Sequence, residues 1–222
     1  MRKQFSLLLL FLLPMLVLGQ RVIVPQYISF ADLSIKVSGK AQQEIQDKVD
    51  ALHCNAKYFQ KKVDLATIYF PVIESTLKEE GVPAEFKYFA MQESGLIGDT
   101  ISRSNAVGFW QFKIEAASDF NLHVDYQVDE RLHVIEATGG AAKYLKRSNA
   151  YYKNWLNSLL SYSLGLDGAK PYSTAAERGS RKVEITEKTH PYVLTFLAHK
   201  VAYESFLGKV NASPVGTAGF TC

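Results

Sequence analysis

The residues that could do chemistry in this sequence begin with a glutamate on the apolar face of a short predicted helix. Phe86, Phe89 and Ala90 precede Glu93 at helical spacing, so the carboxylate falls on the stripe that faces the core. A carboxylic acid partly removed from water has a raised pKa, because its charged form loses hydration, and it can donate a proton at neutral pH. The spacing therefore makes Glu93 a candidate general acid, although a last-turn glutamate that bends out to solvent or pairs with a lysine such as Lys87 is the simpler interpretation of the helix pattern alone.

The helix that carries this glutamate has a start and a stop in the sequence. Pro83 follows Gly81 and suits a first helical position, where the missing N–H is not needed. Gly95 supplies a C-terminal stop just after Glu93. We therefore predict a helix from Pro83 to about Ser94, with the carboxylate at the mouth of whatever the following loop encloses.

The remaining periodicity predicts the all-α fold class. Apolar residues recur at helical spacing over residues 39–80, with a break at Pro71, and again over residues 134–145, 151–164 and 190–206. A shorter helix is predicted from Gln111 to about Asp119. No run alternates convincingly between apolar and polar residues with hairpin turns, and residues 183–185 form at most a short strand.

The ends of the chain differ in composition from its middle. Residues 1–19 combine Arg2 and Lys3 with an apolar run too short to span a bilayer comfortably, which is typical of a cleaved signal peptide, with a short retained anchor as the alternative. We expect an N-terminal arm and helix over residues 20–66, a main domain over 67–206 and a flexible tail over 207–222. After signal cleavage no stable membrane insertion is expected.

Charge and metal-binding residue types exclude some functions. Removal of residues 1–19 takes away two basic residues, so 25 basic and 22 acidic residues become 23 and 22, and a net charge of +1 gives no reason to expect a nucleic-acid partner. Neither Cys54 nor Cys222 has metal-ligand spacing, and the five histidines form no H-x-x-x-H pair. The sequence therefore predicts no metal and no other cofactor, and it leaves a disulfide between the two cysteines open.

Five short motifs occur in order along the chain. They are E-S at 93–94, S-x-x-x-A-x-G-x-W-Q at 102–111, D-E-R at 129–131, A-A-x-Y-L at 141–145 and S-Y-S-L-G at 161–165. This series resembles the soluble-type, lysozyme-like lytic murein transglycosylases (glycoside hydrolase family 23) over roughly residues 58–200. G-V-P-A-E-F at 81–86 and H-P-Y-V at 190–193 are similar to the membrane-bound transglycosylase D subgroup. The resemblance implies a lysozyme-like (goose-type/transglycosylase) helical domain over 67–206 with an N-terminal helical extension.

The resemblance also implies a reaction. Glu93 would be the only catalytic residue of an exported enzyme that acts on peptidoglycan glycan strands in the periplasm or cell envelope. It would protonate the glycosidic oxygen between N-acetylmuramic acid (MurNAc) and N-acetylglucosamine (GlcNAc), and its carboxylate would then take the proton of the muramyl C6 hydroxyl. That hydroxyl attacks the anomeric carbon and leaves a 1,6-anhydro sugar. No protein nucleophile is needed, because the substrate brings its own at high effective concentration.

Two alternatives to this reaction remain. A conventional glycosidase needs a second carboxylate at a defined distance, and Asp99 follows the Glu93 helix closely enough to be its first candidate in a hydrolytic lysozyme. Glu115, Asp119 and Asp129 are further candidates, although a loop or cap charge is the simpler interpretation of each. The other alternative is a weakly active or inactive peptidoglycan-binding protein.

The resemblance assigns roles to neighbours of the glutamate. Ser102 and Gln111 match residues that contact sugar, and Tyr162 matches a tyrosine that hydrogen-bonds near the catalytic glutamate. Trp110, between two phenylalanines, offers an apolar face on which a pyranose could stack, with core packing as the alternative. Ser163 follows Tyr162 at a further substrate-binding position.

The sequence departs from the family's pattern at three places. Ser163 stands where the family has asparagine, which replaces an amide with a shorter hydroxyl and affects substrate contact or activity level. Asn105 stands at a loop glycine, although asparagine tolerates left-handed backbone better than most residues. Leu132 and His133 replace an Asp-Pro pair after Arg131, which concerns mainly loop geometry.

Overall fold

The described chain begins with a β-hairpin where the sequence predicts an extended arm. The computed structural model describes residues 21–212, with the side chains of residues 21–208. Strand β1 (Tyr27–Phe30) pairs antiparallel with β2 (Leu33–Val37), and β3 (Lys182–Ile185) pairs parallel with β2. Each strand alternates exposed and buried residues, which is the pattern of a half-buried sheet. The expectation of no strand alternation and no hairpin is therefore wrong, and the short strand at 183–185 is confirmed.

Helices nevertheless dominate, and the all-α class is confirmed. Residues 21–212 contain seven α-helices. They are α1 (Gly39–Cys54), α2 (Ala56–Glu79), α3 (Lys87–Ser94), α4 (Ile114–Asp119), α5 (Val134–Tyr152), α6 (Trp155–Ala169) and α7 (Pro191–Ala212). None of the helices in this described part is long and apolar enough to cross a membrane.

The long N-terminal helical pattern is interrupted at a different residue from the one predicted. Asn55 separates α1 from α2, and its side chain accepts a hydrogen bond from the Tyr58 N–H, which caps the second helix. Pro71 lies inside α2 and does not end it. Phe70 and Ile73 on either side of the proline are buried, so tertiary packing holds the helix together. α2 also runs through the predicted domain boundary between residues 66 and 67.

The chain ends also differ in part from the expectation. The predicted signal peptide, residues 1–19, lies outside the described residues, as do residues 213–222 of the predicted tail. Helix α7 extends to Ala212, so the first six residues of the segment predicted as a flexible tail, 207–212, are helical.

Helix α3 lies at the centre of the core. One 3₁₀ turn (Ala84–Phe86) precedes it, and Pro83 has an extended ψ of 128°, so the α-helix begins four residues later than predicted. Phe86 and Phe89 are fully buried and contact the ring of Phe196 from α7. Aromatic packing against α7 therefore holds α3 and the turn before it in place.

Candidate functional site

Glu93 lies in the wall of an open cleft of about 450 Å³. The cleft is formed by the last turn of α3, the loop between α3 and α4, the middle of α6 and the first turn of α7. Its lining includes most of the residues that the sequence assigned to the site: Glu93, Ser102, Gln111, Tyr162 and Ser163. The structure thus brings together residues that lie as much as 70 positions apart in the sequence.

The end of α3 sets the position of the carboxylate. Gly95 adopts a left-handed conformation (φ 60°) and its N–H bonds the Met91 carbonyl, which confirms the predicted stop. The buried ammonium of Lys62 donates to the Gly95 carbonyl at 2.8 Å. A Cβ at residue 95 would lie 2.2 Å from this ammonium, so the Lys62 side chain would have to shift, and the left-handed backbone there also favours glycine.

The environment of Glu93 brings the pKa of its carboxyl close to neutral pH. Burial raises the pKa of its carboxyl to about 7, because the charged form loses hydration. The Tyr192 hydroxyl donates to Glu93 Oε1 at 2.5 Å, and this bond lowers the pKa by favouring the carboxylate. The group can therefore give up a proton near neutral pH and take it back, as a general acid and base must.

Tyr192 was not singled out by sequence reasoning. It lies in the H-P-Y-V segment, 99 residues after Glu93, and reaches the carboxylate only because the first turn of α7 packs beside α3. Burial and the Glu93 charge raise the pKa of Tyr192, so its hydroxyl stays protonated and acts as a donor. The only sequence signal was its place in that motif.

Tyr162 lies in the same cleft, but its hydroxyl does not bond the Glu93 carboxyl. Its hydroxyl donates to the main-chain carbonyl of Trp110 at 2.9 Å, and the bond to Glu93 is made by Tyr192. Burial, followed by the nearby Glu93 carboxylate, raises the pKa of Tyr162. Tyr162 therefore joins α6 to the loop after α3 and forms part of the wall beside the carboxyl.

Ser102 and Gln111 lie in the cleft at the two ends of one loop. The Ser102 hydroxyl accepts from the Ala106 N–H at 3.0 Å. The side-chain nitrogen of Gln111 donates to the carbonyls of Thr100 and Gly108 at 3.2 and 3.0 Å. These bonds leave the Gln111 amide oxygen as the group available to accept a hydrogen bond from a substrate hydroxyl or amide.

This loop contacts the D-E-R motif at residues 129–131. Arg131 is buried, its guanidinium pairs with Asp129, and Nη1 donates to the Phe112 carbonyl at 3.3 Å. Gly108 has a φ of 82°, and a Cβ on it would lie 1.8 Å from the Arg131 carbonyl oxygen. Asn105 adopts a φ of 59°, as expected for asparagine at a loop glycine position. The D-E-R motif at 129–131 therefore packs against the loop motif at 102–111 and supports it.

Gly108→Ala is expected to destabilise the protein by about 3 kcal/mol or more, because the methyl group would strain the left-handed backbone and clash with main chain that cannot move freely. Chemical denaturation measures the effect. Gly139→Ala is the matched control, since a Cβ there meets nothing within 4 Å and alanine favours the helix. Equal stability of the two variants would contradict this account of the loop.

The structure places Trp110 in the core and not in the cleft. Its side chain is 0% exposed, and its ring nitrogen donates to the Thr138 hydroxyl at 2.9 Å. A fully enclosed ring has no face for a pyranose, so the stacking role expected of Trp110 is corrected to core packing. Phe112 lines the cleft, although only 2% of it is exposed.

Glu93 is the only acidic side chain among the described residues that line this cleft. Asp99 is exposed and lies outside the lining, and Asp129 is engaged by Arg131, which holds the pKa of that carboxyl below its ordinary value. Ser163 is exposed at the cleft surface. Within residues 21–208, no group of three or more His, Cys, Asp or Glu side chains is placed to hold a metal ion.

The raised pKa of Glu93 predicts a pH-dependent stability difference. The folded protein binds this proton more tightly than the unfolded chain, whose pKa is near 4.5, so stability falls as pH rises from about 4.5 to 7. Each unit corresponds to about 1.36 kcal/mol, which limits the loss to about 3 kcal/mol. Glu93→Gln is expected to be more stable than the unsubstituted protein at pH 8, with a smaller difference at pH 5, in denaturant titrations. An equal difference at both pH values would contradict the shifted pKa.

Comparison with known proteins agrees with this geometry. Residues 70–184 match the family described as Transglycosylase SLT domain, which is slightly more than half of the 222 residues. A search of curated proteins found no match. The matched span includes Glu93, the loop and the cleft residues of α6, and it ends before Tyr192. This chain therefore belongs to the Transglycosylase SLT domain family.

Proposed function

We propose that this protein is an exported lytic transglycosylase that cleaves the β-1,4 bond between MurNAc and GlcNAc in peptidoglycan and forms 1,6-anhydromuramyl ends. Members of its family are lytic transglycosylases that act on peptidoglycan. The observation that carries the proposal is one partly buried carboxyl, with its pKa raised to about 7, as the only acid among the described residues of the cleft.

In the first step protonated Glu93 acts as a general acid. Its proton goes to the glycosidic oxygen as the bond from that oxygen to the muramyl anomeric carbon breaks. The Tyr192 hydroxyl is bonded to Oε1 and stabilises the carboxylate that forms. Because burial disfavours the charge and the tyrosine favours it, neither protonation state is strongly preferred at neutral pH.

In the second step the carboxylate acts as a general base. It accepts the proton of the muramyl C6 hydroxyl while that oxygen bonds to the anomeric carbon. Glu93 is then protonated again, and no water is consumed. The reaction needs no second carboxylate, in agreement with the lining of the cleft.

The alternatives are less well supported. Hydrolysis with Asp99 would need a side chain that is exposed and lies outside the cleft lining. A peptidoglycan-binding protein with little or no activity remains a second candidate because Ser163, in place of the family's asparagine, offers a shorter hydrogen-bonding group at the cleft surface. The proposal also includes membership of the transglycosylase D subgroup and location in the periplasm or cell envelope. Both rest on the sequence.

Digestion of purified peptidoglycan with mass spectrometry of the soluble fragments tests the proposal. We expect fragments that end in 1,6-anhydromuramic acid, which are 18 mass units lighter than hydrolysed ends because no water is added. Reducing muramic acid ends would contradict the proposed reaction and indicate hydrolysis. Release of no fragments by folded protein would favour the binding protein.

A further inference from the structure

A second pocket, of about 350 Å³, lies beside the cleft and has no role in the reaction above. It is enclosed by β3, the start of α6, the first turn of α7 and the segment that follows α6. Leu160 and Val193 give it an apolar wall, while Asn157, Glu184 and His190 contribute polar groups. We name it the β3 pocket.

The pocket lies at the open edge of the small sheet. The Ser34 N–H bonds the Arg181 carbonyl and the Ser38 N–H bonds the Ile185 carbonyl, both at 2.8 Å. In a parallel strand the N–H and C=O of one residue point to the same side, and alternate residues point to opposite sides. The main-chain groups of residues 182, 184 and 186 therefore point away from β2.

Most of these outward groups already have partners. The Ser180 hydroxyl bonds both the N–H and the C=O of Lys182, at 3.1 and 2.7 Å. The Thr186 N–H bonds the Thr189 hydroxyl at 3.0 Å. Within the described chain, Glu184 keeps its main-chain N–H and C=O without a protein partner on this edge, and it lines the pocket. An extended peptide could pair with both groups as an added strand.

Asn157 supplies a second unfilled hydrogen-bonding group. It is 9% exposed, and its main-chain N–H bonds the Asn154 side chain. Its own side-chain amide has no hydrogen bond to any described residue, and the residue lines the pocket. The amide is not enclosed by protein, so it is open to a ligand in the pocket. Because this group both donates and accepts, its best match is another amide, such as a peptide bond.

The pocket and the cleft share two helices. Asn157 and Leu160 of α6 line the pocket, while Tyr162 and Ser163 of the same helix line the cleft. Residues 157 and 163 are about 9 Å apart along the helix axis at about 1.5 Å per residue. An extended peptide covers about 3.3 Å per residue, so three residues span this distance. Along α6, the separation between the pocket and the cleft is therefore within the length of a short extended peptide carried by a sugar in the cleft.

We propose that the β3 pocket binds the stem peptide of the glycan strand whose sugars occupy the cleft, as an extended segment paired with the Glu184 main chain and the Asn157 amide. The inference rests on the proposed function, because muramic acid in peptidoglycan carries a peptide on its lactyl group. It makes the enzyme selective for strands that retain their peptides.

The first test compares cleavage of peptide-bearing strands with cleavage of strands from which an amidase has removed the peptides. Glu184→Pro removes the outward N–H and no bond of the sheet, and proline is tolerated at sheet edges. We expect it to lower kcat/KM about tenfold on peptide-bearing strands and leave stripped strands unchanged. Glu184→Ala keeps the N–H and is the control, expected to match the unsubstituted protein. Equal loss on both substrates, or equal behaviour of the two variants, overturns the inference.

The second test does not depend on catalysis. A free tetrapeptide of stem sequence is titrated into isotopically labelled Glu93→Gln protein, and chemical shifts are followed by NMR. We expect saturable shifts of the Glu184 amide and of the Asn157 side-chain amide, and about tenfold weaker binding when Asn157 is also replaced by leucine. Signals that stay unmoved at millimolar peptide overturn the inference even if the protein cleaves glycan. Failure to cleave glycan, with these shifts present, overturns only the proposed reaction.

Discussion

Glu93→Gln is expected to lower the rate of anhydromuramyl fragment release by about a thousandfold or more. Glutamine keeps the shape and polarity of the side chain but can neither give a proton to the glycosidic oxygen nor take one from the C6 hydroxyl. General acid and base catalysis each contribute about 10²- to 10⁴-fold, and here both reside in one residue. Initial rates on purified peptidoglycan, with products identified by mass spectrometry, measure the effect.

The matched control for this experiment is Asp99→Asn. Asp99 is exposed and lies outside the cleft lining, so its amide variant is expected to keep full activity and the same products. Thermal unfolding of both variants tests whether a loss of activity comes from a loss of folded protein. A large loss in Asp99→Asn, together with reducing ends in the products, would reverse the assignment in favour of a two-carboxylate hydrolase.

Tyr192→Phe is expected to lower kcat about 10- to 100-fold and to move the high-pH limb of the activity profile upward. The hydroxyl holds Oε1 of Glu93 at 2.5 Å, and without it the carboxylate loses a donor that positions and stabilises it. The sign of the pH effect follows from protonation. Activity requires protonated Glu93 and falls as pH rises through its pKa, near 7, and loss of a bond that favours the carboxylate raises that pKa further.

The profile of kcat/KM between pH 5 and 9 separates this role from a purely structural one. Tyr162→Phe is the comparison, because the Tyr162 hydroxyl bonds the Trp110 carbonyl and makes no bond to Glu93. We expect the high-pH limb of the Tyr162→Phe profile to stay within about 0.3 pH units of that of the unsubstituted protein, because the substitution removes no hydrogen bond to the Glu93 carboxyl. A larger shift in Tyr162→Phe than in Tyr192→Phe would contradict the partners assigned here.

Features of the site that depend on residues close together in the sequence were predictable from it. The helical spacing of Phe86, Phe89 and Glu93 defines one face of a helix whatever packs against it, and both phenylalanines are buried. A glycine directly after a helical run ends it because left-handed backbone is least costly there, as Gly95 shows. Local chemistry thus predicted where the acid lies on its helix and where that helix ends.

Features that depend on contacts between distant segments were missed or assigned incorrectly. The hairpin of β1 and β2 was overlooked because each strand is only four or five residues long, and the sheet includes a third strand about 145 residues later. The sequence predicted a break in the first long helical pattern at Pro71. The helix continues through Pro71, where Phe70 and Ile73 pack in the core, and the break falls at Asn55. Trp110 is an aromatic residue of a type that can stack on sugar. Burial decides whether its ring has a free face, and the ring is fully buried.

The sequence by itself determined the helical class, the position of the candidate glutamate on its helix and the ordered motifs typical of the family, because periodicity, termination and motif spacing are local properties of the chain. Only the tertiary structure decided which hydroxyl bonds Glu93, whether a second carboxylate shares its cleft, and how far its pKa rises. These depend on burial and on contacts between residues as much as 99 positions apart, and neither is a property of any single stretch of sequence.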